Sequence, residues 1–316
     1  MEKPIVSIVV PCFNEQEVLQ ETAKRLYELL TNLLKENKIC ENSKIVFVDD
    51  GSIDNTWNII EELHKNNPQI FSGIKLSKNR GHQNALLCGL FSVKEISDCA
   101  VSIDADLQDD ISIIPKMIEK FQNGYEIVLG VRDNRKTDSL FKRTTALLFY
   151  KFIKFLGADI VYNHADYRLM GKRALEALSQ YGETNLFLRG LIPMLGFRTC
   201  IEYYARAQRF AGKSKYPFKK MLHFAFDGIT SLSIKPIRYI TMLGLFVSFV
   251  SFIMIIYFVY QHFSGITVIG WASMIVSIYA IGGLILFSIG IIGEYIGKIY
   301  LEIKRRPRFH IEEEIL

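Results

Sequence analysis

The five cysteines, Cys12, Cys40, Cys88, Cys99 and Cys200, lack the close pairing of a zinc knuckle or a redox motif, and their number is odd. Thiols in that pattern fit a reducing compartment and offer no zinc site. No G-x-G-x-x-G follows an apolar run, so the fingerprint of a hydride-transfer dinucleotide fold is missing. Gly212-Lys213-Ser214 ends like a phosphate-binding P-loop, but Ala207 stands where that motif requires its first glycine. There is no internal repeat, no low-complexity linker and no nucleic-acid-binding motif. A signal peptide is not expected either, because the short apolar run before Pro11 leads directly into polar residues.

What the chain has instead is two long apolar runs. Residues 237–260 and 271–292 are apolar apart from Arg238 and a few hydroxyls, and each matches the roughly 20 residues that cross a bilayer as a helix. A buried helical hairpin is the competing explanation, but two such lengths in succession, with Gly and Ser inside them, favour membrane spans. Lys235 and Arg238 flank the start of the first run, and Lys298, Lys304, Arg305, Arg306 and Arg308 follow the second, whereas the connector 261–270 has no Lys or Arg. The positive-inside rule then places the large N-terminal part and the C-terminal end in the cytoplasm, on the cytoplasmic (inner) membrane. A formal net charge of +5, concentrated beside the runs, suits an anionic membrane surface better than nucleic acid.

Through the first half, strand-like runs at residues 5–10, 44–48, 73–76, 99–103 and 126–129 alternate with amphipathic stretches at 15–34, 54–65, 83–93 and 113–121. That alternation predicts βαβ units around a mostly parallel sheet. Ligands of such sheets bind beyond the carboxyl ends of the strands. Those ends carry Pro11-Cys12-Phe13-Asn14-Glu15, Asp49-Asp50-Gly51-Ser52, Ser77-Lys78-Asn79-Arg80-Gly81, Asp104-Ala105-Asp106 and Gly130-Val131-Arg132.

The most informative of these segments is Asp104-Ala105-Asp106-Leu107-Gln108. An ionised side chain at the end of a buried strand is tolerable only beside water, a partner or a cation. Asp104 and Asp106, joined by the amide oxygen of Gln108, make a donor set for a hard divalent ion that keeps open positions for a diphosphate. Helix N-capping competes with that reading, since Asp109 and Asp110 also precede the helical pattern from Ile113. Further on, residues 138–157 set Leu140, Phe141, Leu147, Leu148, Phe149, Phe152, Ile153 and Phe155 against Lys142, Arg143, Lys151 and Lys154. This predicts a basic amphipathic helix whose apolar face serves either the core or a membrane surface. Residues 216–233, rich in Phe, Lys and Leu, are a second interfacial candidate.

A family resemblance emerges from the motifs in order. Val9-Val10-Pro11-Cys12-Phe13-Asn14-Glu15, Val48-Asp49-Asp50-Gly51-Ser52, Asp104-Ala105-Asp106-Leu107-Gln108, Gly130-Val131-Arg132 and Asp166-Tyr167-Arg168-Leu169-Met170 are followed by Arg209-Phe210-Ala211-Gly212-Lys213-Ser214-Lys215-Tyr216-Pro217. The set ends in Gly293-Glu294-Tyr295-Ile296-Gly297 and Lys304-Arg305-Arg306-Pro307-Arg308-Phe309. Over nearly the whole chain it resembles the family 2 glycosyltransferases of GT-A fold, in the polyprenyl-phosphate (bactoprenol) branch related to dolichyl-phosphate mannose synthases. The resemblance implies an α/β fold: a Rossmann-like GT-A domain at 1–215 with a mostly parallel central sheet, followed by interfacial and membrane helices. A juxtamembrane amphipathic helix is expected at 216–236, a two-helix transmembrane hairpin within 237–293, and a basic cytoplasmic tail at 294–316.

The implied activity is an inverting transfer of one sugar, glucose or N-acetylglucosamine, from a UDP-sugar to the phosphate of a membrane polyprenol. Mg2+ or Mn2+ at Asp104, Asp106 and Gln108 would neutralise the leaving diphosphate. By resemblance, Pro11, Asn14, Glu15, Asp49, Asp50, Gly81 and Asp104 line the donor, and Arg209, Lys213 and Lys215 close over its diphosphate. Arg132 and Arg143 are expected at the acceptor phosphate, which guanidinium binds bidentately. Asp166 matches the acid taken as catalytic base, but a phosphate monoester already carrying about −1.5 to −2 charge needs little deprotonation. Asp166 is therefore equally a group that holds a sugar hydroxyl. Ordinary turn chemistry competes for the loop acids and amides, a solvated basic face for Arg143, and attraction to anionic lipid for Lys213.

One segment departs from many glucosyl-transferring relatives: Tyr162-Asn163-His164-Ala165-Asp166 replaces their Asp-Thr-Gly, which leaves the sugar open. His164 is either a sugar contact or an ordinary loop histidine. A processive polysaccharide synthase would want a Gln-x-x-Arg-Trp motif and more spans, and the only tryptophans are Trp57 and Trp271. An inactive binding subunit would be signalled by loss of the acids, yet Asp104, Asp106 and Asp166 are all present. Self-association into a homo-oligomer is left open.

Overall fold

Each run expected to be a strand forms one. β1 (Val6–Cys12), β2 (Lys44–Asp49), β3 (Phe71–Leu76), β4 (Cys99–Ser102) and β5 (Ile127–Arg132) alternate with α1 (Leu19–Lys35), α2 (Thr56–Asn66) and α3 (His82–Val93). Between β4 and β5 a 3-10 turn (Ile111–Ile113) runs into α4 (Ile114–Gln122). The computed structural model describes residues 3–132, 164–183, 187–205, 235–264 and 270–315, so the amphipathic helix expected at 138–157 and the juxtamembrane segment 216–234 lie outside the described residues. β6 (His164–Gly171), α5 (Lys172–Ser179), α6 (Leu188–Met194) and β7 (Thr199–Tyr204) follow, then α7 (Lys235–Phe263), α8 (Trp271–Ile303) and β8 (Ile311–Ile315).

The sheet order is β7-β5-β6-β4-β1-β2-β3-β8. β6 runs antiparallel to both β4 and β5, and β8 runs antiparallel to β3; the remaining pairings are parallel. The reversal of β6 has a functional consequence. Its register pairs Ser102 with Arg168, so the start of β6, not its end, lies beside the carboxyl end of β4.

Alternation of side chains along the strands divides the core between the two faces. Val6, Ile8, Val10 and Cys12 of β1 pack with Leu19, Ala23, Leu26, Leu30 and Leu33 of α1, Ile60 of α2 and Met117 of α4. The spacing of those α1 residues is that of one helical stripe. On the opposite face, Val9, Val46, Val48 and Ile74 pack against Leu86, Leu87 and Leu90 of α3, with Leu175 of α5 and Leu191 of α6. Here α3 has apolar residues almost all round. At Gly89 it lies so close to the sheet that a Cβ would sit 2.4 Å from Val9 and 2.7 Å from Val48.

Both expected spans fall within helices. Segments Lys235–Met254 and Ala280–Ile303 each have a mean hydropathy of 1.8 with none of the apolar window buried, so among the described residues two helices are long and apolar enough to cross a membrane. Residues 294–316, expected as a separate basic tail, are divided differently. Up to Ile303 they continue α8, and Ile311–Ile315 adds an edge strand to the eight-stranded sheet. The Ser77 N–H donates to the His310 carbonyl at 3.0 Å, the Arg308 guanidinium donates to the Tyr181 carbonyl, and Phe309 packs on the core. The absent side chain at Gly73 makes room for Ile60 of α2 and for Ile315, since a Cβ there would stand 2.5 Å from Ile60 Cγ2 and 3.1 Å from Ile315 Cγ1. Ending the chain at His310 should therefore turn β3 into an edge strand, still paired with β2. Hydrogen exchange is expected to speed up at the alternate β3 amides that face β8 far more than at those that face β2; equal protection of the two sets would show that β8 contributes nothing.

Candidate active site

The rim at the carboxyl ends of the parallel strands is assembled by loops that hold one another. Pro11 pairs with Val48 on β2, beyond the last β1 residue paired to β4. The Val9 carbonyl accepts from Ile103 of the β4 side and the Cys12 carbonyl from Asp50 of the β2 side. The missing N–H of Pro11 thus faces β4 after that ladder has ended, which is why proline is tolerated in an interior strand. Asn14 adopts a left-handed φ of 53°; its N–H donates to Ser52 Oγ at 2.9 Å and its Oδ1 accepts from the Ile53 N–H at 3.0 Å. The Glu15 N–H donates to Thr56 Oγ1 at 3.0 Å. The β1 and β2 loops are in this way locked together.

Asp49 and Asp50 are buried and have internal partners. Asp49 accepts from the N–H and the hydroxyl of Ser52. Asp50 accepts from the Arg80 N–H at 2.7 Å and the Gly81 N–H at 2.9 Å, tying the β3 loop to the β2 loop. Burial pushes both carboxyl pKa values up, and these hydrogen bonds oppose it. Gly51 (φ 67°) lets the two loops touch, since a Cβ would lie 2.6 Å from the Lys78 carbonyl carbon. Gly81, with φ 89°, opens α3 and brings His82 to the rim.

The Asp104 loop is tied to α1 by Thr22, whose hydroxyl donates to the Ala105 carbonyl at 2.7 Å. Asp106 Oδ1 accepts from the Gln108 N–H at 3.1 Å, and Leu107 takes a left-handed φ of 57°. Asp104 keeps a side-chain exposure of 35%. Burial by its neighbours, followed by the charges of Asp166 and Asp106, raises its pKa, while His82 pulls it down. The capping alternative holds for Asp110, which accepts from the Ser112 N–H at 2.9 Å.

Asp109 belongs to neither group. Its side chain is only 1% exposed and lies 3.5 Å from Arg132 Nη2. It also accepts from the Tyr204 hydroxyl, while Arg132 Nε donates to the same hydroxyl oxygen at 3.2 Å. Burial and the Asp104 charge push the Asp109 carboxyl up to about 6. Arg132, expected at an acceptor phosphate, is thereby anchored at the rim with its side chain 29% exposed.

β6 delivers Asp166 next to Asp104. The hydroxyl of Ser102 donates to the Asp166 carbonyl at 2.7 Å, fixing the backbone. Its carboxylate is gripped from two sides. Arg168 Nη2 donates to Oδ1 at 2.6 Å, and Arg189 donates through Nη2 to Oδ2 at 2.9 Å and through Nε to Oδ1 at 3.3 Å. Burial by itself would raise this carboxyl's pKa, but Arg189, Arg168 and His82 hold it well below the usual carboxylate range. His82 Nε2 stands 3.4 Å from Asp104 and 3.9 Å from Asp166, linking the two acids.

The structure thus gathers Pro11, Asn14, Glu15, Asp49, Asp50, Gly81, Asp104, Asp106, Gln108, Arg132 and Asp166 at or beneath one rim. Arg143, Arg209, Lys213 and Lys215 lie outside the described residues. His82, Asp109, Arg189 and Tyr204 were not anticipated. The position of His82, directly after Gly81 at a strand end, was an available signal, whereas nothing local marks Arg189 or Tyr204. Asp104, Asp106 and Gln108 supply hard oxygen donors suited to Mg2+ or Mn2+. The repulsion that raises the Asp104 pKa is of the kind a cation relieves. Among the described residues no group of three or more His, Cys, Asp or Glu is placed to hold a metal by itself.

A mixed sheet flanked by helices, with an Asp-x-Asp loop at the rim, defines a glycosyltransferase of GT-A fold. Residues 7–179 match the model of glycosyl transferase family 2. The chain is 55% identical over 313 residues to the uncharacterized glycosyltransferase YkoT of Bacillus subtilis (strain 168), covering 99% of this chain and 93% of that one. It is 39% identical over 310 residues to the SfII prophage-derived bactoprenol glucosyl transferase of Shigella flexneri, covering 98% and 97%. Mannosyl-3-phosphoglycerate synthase from Rubrobacter xylanophilus shares the fold with a TM-score of 0.50 at 13% identity, over 76% of this chain and 75% of that one. The chain belongs to glycosyl transferase family 2.

Tyr204→Phe tests the Asp109 cluster. Removing the hydroxyl leaves a buried carboxylate short of a donor, so stability should fall by about 1–3 kcal/mol. Chemical denaturation of the two proteins measures this, and an unchanged midpoint would mean that the hydroxyl is not needed there.

Proposed function

We propose that this protein transfers a single glucose from UDP-glucose, with inversion, to the phosphate of a membrane polyprenol. One observation carries the reading: the acidic rim of a glycosyltransferase and two helices of bilayer length belong to one chain that aligns end to end with a bactoprenol glucosyl transferase. N-acetylglucosamine is the second sugar considered, because the His164 segment departs from the commoner glucosyl pattern. Asp104 and Asp106, with Gln108, would hold Mg2+ or Mn2+, which when bound supplies positive charge for the leaving diphosphate. Asn14, Glu15, Asp49, Asp50 and Gly81 form the donor side, with Pro11 shaping it and Arg209 and Lys215 closing over the diphosphate. Arg132 and Arg143 receive the acceptor phosphate.

Asp166 acts in this reading as a fixed negative group more than as a proton acceptor. Both its oxygens accept from arginine, and its depressed pKa makes it a weak base. The acceptor phosphate is already anionic, so the reaction has little need of one.

For topology, the basic flanks argue that the catalytic domain and the C-terminal end face the cytoplasm. The pairing of β8 with β3 supports an even number of crossings, because the chain after α8 must return to the side of the catalytic sheet. A cysteine placed in the 261–270 connector of a chain otherwise free of reactive thiols should be labelled from outside in intact cells; labelling only after permeabilisation would contradict the hairpin.

The activity itself is tested by incubating the membrane-bound protein with labelled UDP-sugars and polyprenyl phosphate, then extracting the lipid. Labelled glucose in the lipid fraction is expected, with loss of activity in chelator and recovery with Mg2+ or Mn2+. Asp104→Asn and Asp106→Asn should each slow turnover by about 10²-fold or more with little change in melting temperature. Exclusive labelling by another sugar would overturn the choice of glucose, and full activity of either variant in chelator would overturn the metal assignment.

A further inference from the structure

Arg189 reaches the rim from an element that carries no motif. It is the second residue of α6, a short helix whose Leu188, Leu191 and Ile192 are buried in the core. The Leu188 N–H donates to Gln83 Oε1 at 2.9 Å, pinning α6 to the first turn of α3 beside His82. From this fixed base the guanidinium meets the Asp166 carboxylate edge to edge through Nη2 and Nε. On the other side Arg168 is wholly buried, and among the described residues its Nε and Nη1 have no hydrogen-bond partner. The grip of Arg168 through one nitrogen leaves the carboxylate free to turn; the two-point grip of Arg189 does not. Around this carboxylate, Asp104 repels it and His82 attracts it, so its position would otherwise follow whatever occupies the rim.

We propose that Arg189 is a positioning residue for the glycosyl transfer, holding the Asp166 carboxylate at one place and one angle on the rim it shares with Asp104. The inference rests on the functional reading above. Arg189 acts through Asp166: it supplies neither the metal site nor the acceptor-phosphate contact, and its loss misplaces a group that must meet the reacting sugar. A misplacement of about 1 Å in such a group lowers the rate by roughly 10²-fold.

The test uses the full chain in detergent or nanodiscs with UDP-glucose and polyprenyl phosphate. It compares wild type, Arg189→Ala, Arg189→Lys, Asp166→Asn and the double variant Asp166→Asn/Arg189→Ala, with a thermal melt of each. Arg189→Ala should lower kcat by about 10²-fold while the KM values for donor and lipid move less than about 3-fold, and Arg189→Lys should recover part of kcat. In the Asp166→Asn background, Arg189→Ala should lower kcat by less than about 3-fold further, because both changes remove the same arrangement. If Asp166→Asn is too slow to assay, the split between kcat and KM and the rescue by lysine decide alone. A raised lipid KM with kcat intact would make Arg189 a direct phosphate ligand and overturn the proposal. Multiplicative losses in the double variant would also overturn it, as would a fall in melting temperature in both Arg189 variants with no rescue by lysine. Wild type that places no sugar on polyprenyl phosphate refutes the functional reading, whereas active wild type with any of those outcomes refutes the positioning role alone.

Discussion

An ionised carboxylate at the end of a buried strand must be met by donors or by a counter-charge, and the rim of this sheet holds Asp49, Asp50, Asp104, Asp109 and Asp166 together. Four of them are satisfied by different means. Asp49 uses Ser52, Asp50 the backbone N–H groups of Arg80 and Gly81, Asp109 Tyr204 and Arg132, and Asp166 the guanidiniums of Arg168 and Arg189. Asp104 is different, because burial and the charges of Asp166 and Asp106 push its pKa up and the imidazole of His82 stands 3.4 Å from it. Acidic charge therefore collects at the end of β4, around Asp104 and Asp106. The loops that satisfy the other acids also set the shape of the rim.

The two reversed strands place chemistry that a purely parallel sheet would separate. Because β6 runs against β4, its first half sits beside the residues that follow β4, and Asp166 meets Asp104 although 62 positions separate them in sequence. β8 does the same at the other edge. It returns from α8 to pair with β3, whose carboxyl end carries the Arg80-Gly81 loop held by Asp50. The long apolar helix is consequently joined at its far end to the strand that carries this part of the rim.

Much of the catalytic sheet was legible because its signals are local. Apolar runs of strand length, separated by stripes such as Leu19, Ala23, Leu26, Leu30 and Leu33, report burial on one face whatever the rest of the chain does. Asp104 and Asp106 were legible for a related reason: acids directly after a buried strand stand out against it. The capping alternative was also right in part, since Asp110 caps a turn while Asp109 serves an interior cluster. Less legible was the C-terminal end. Its basic residues read as a tail, yet Ile311 and Ile315, spaced for a short edge strand, had no visible partner until β3 was placed beside them.

By itself the sequence determined the α/β class, the polar rim at the strand ends, the two bilayer-length helices and the acids gathered there. Those properties follow from periodicity, run length and charge, which are fixed within windows of a few to about twenty residues. Tertiary structure alone decided which partners those acids meet. Arg189 binds Asp166 from 23 positions away, and Tyr204 binds Asp109 from 95 positions away. Such pairs leave no periodic trace, because a hydrogen bond constrains the distance between two atoms in space and is indifferent to their separation along the chain.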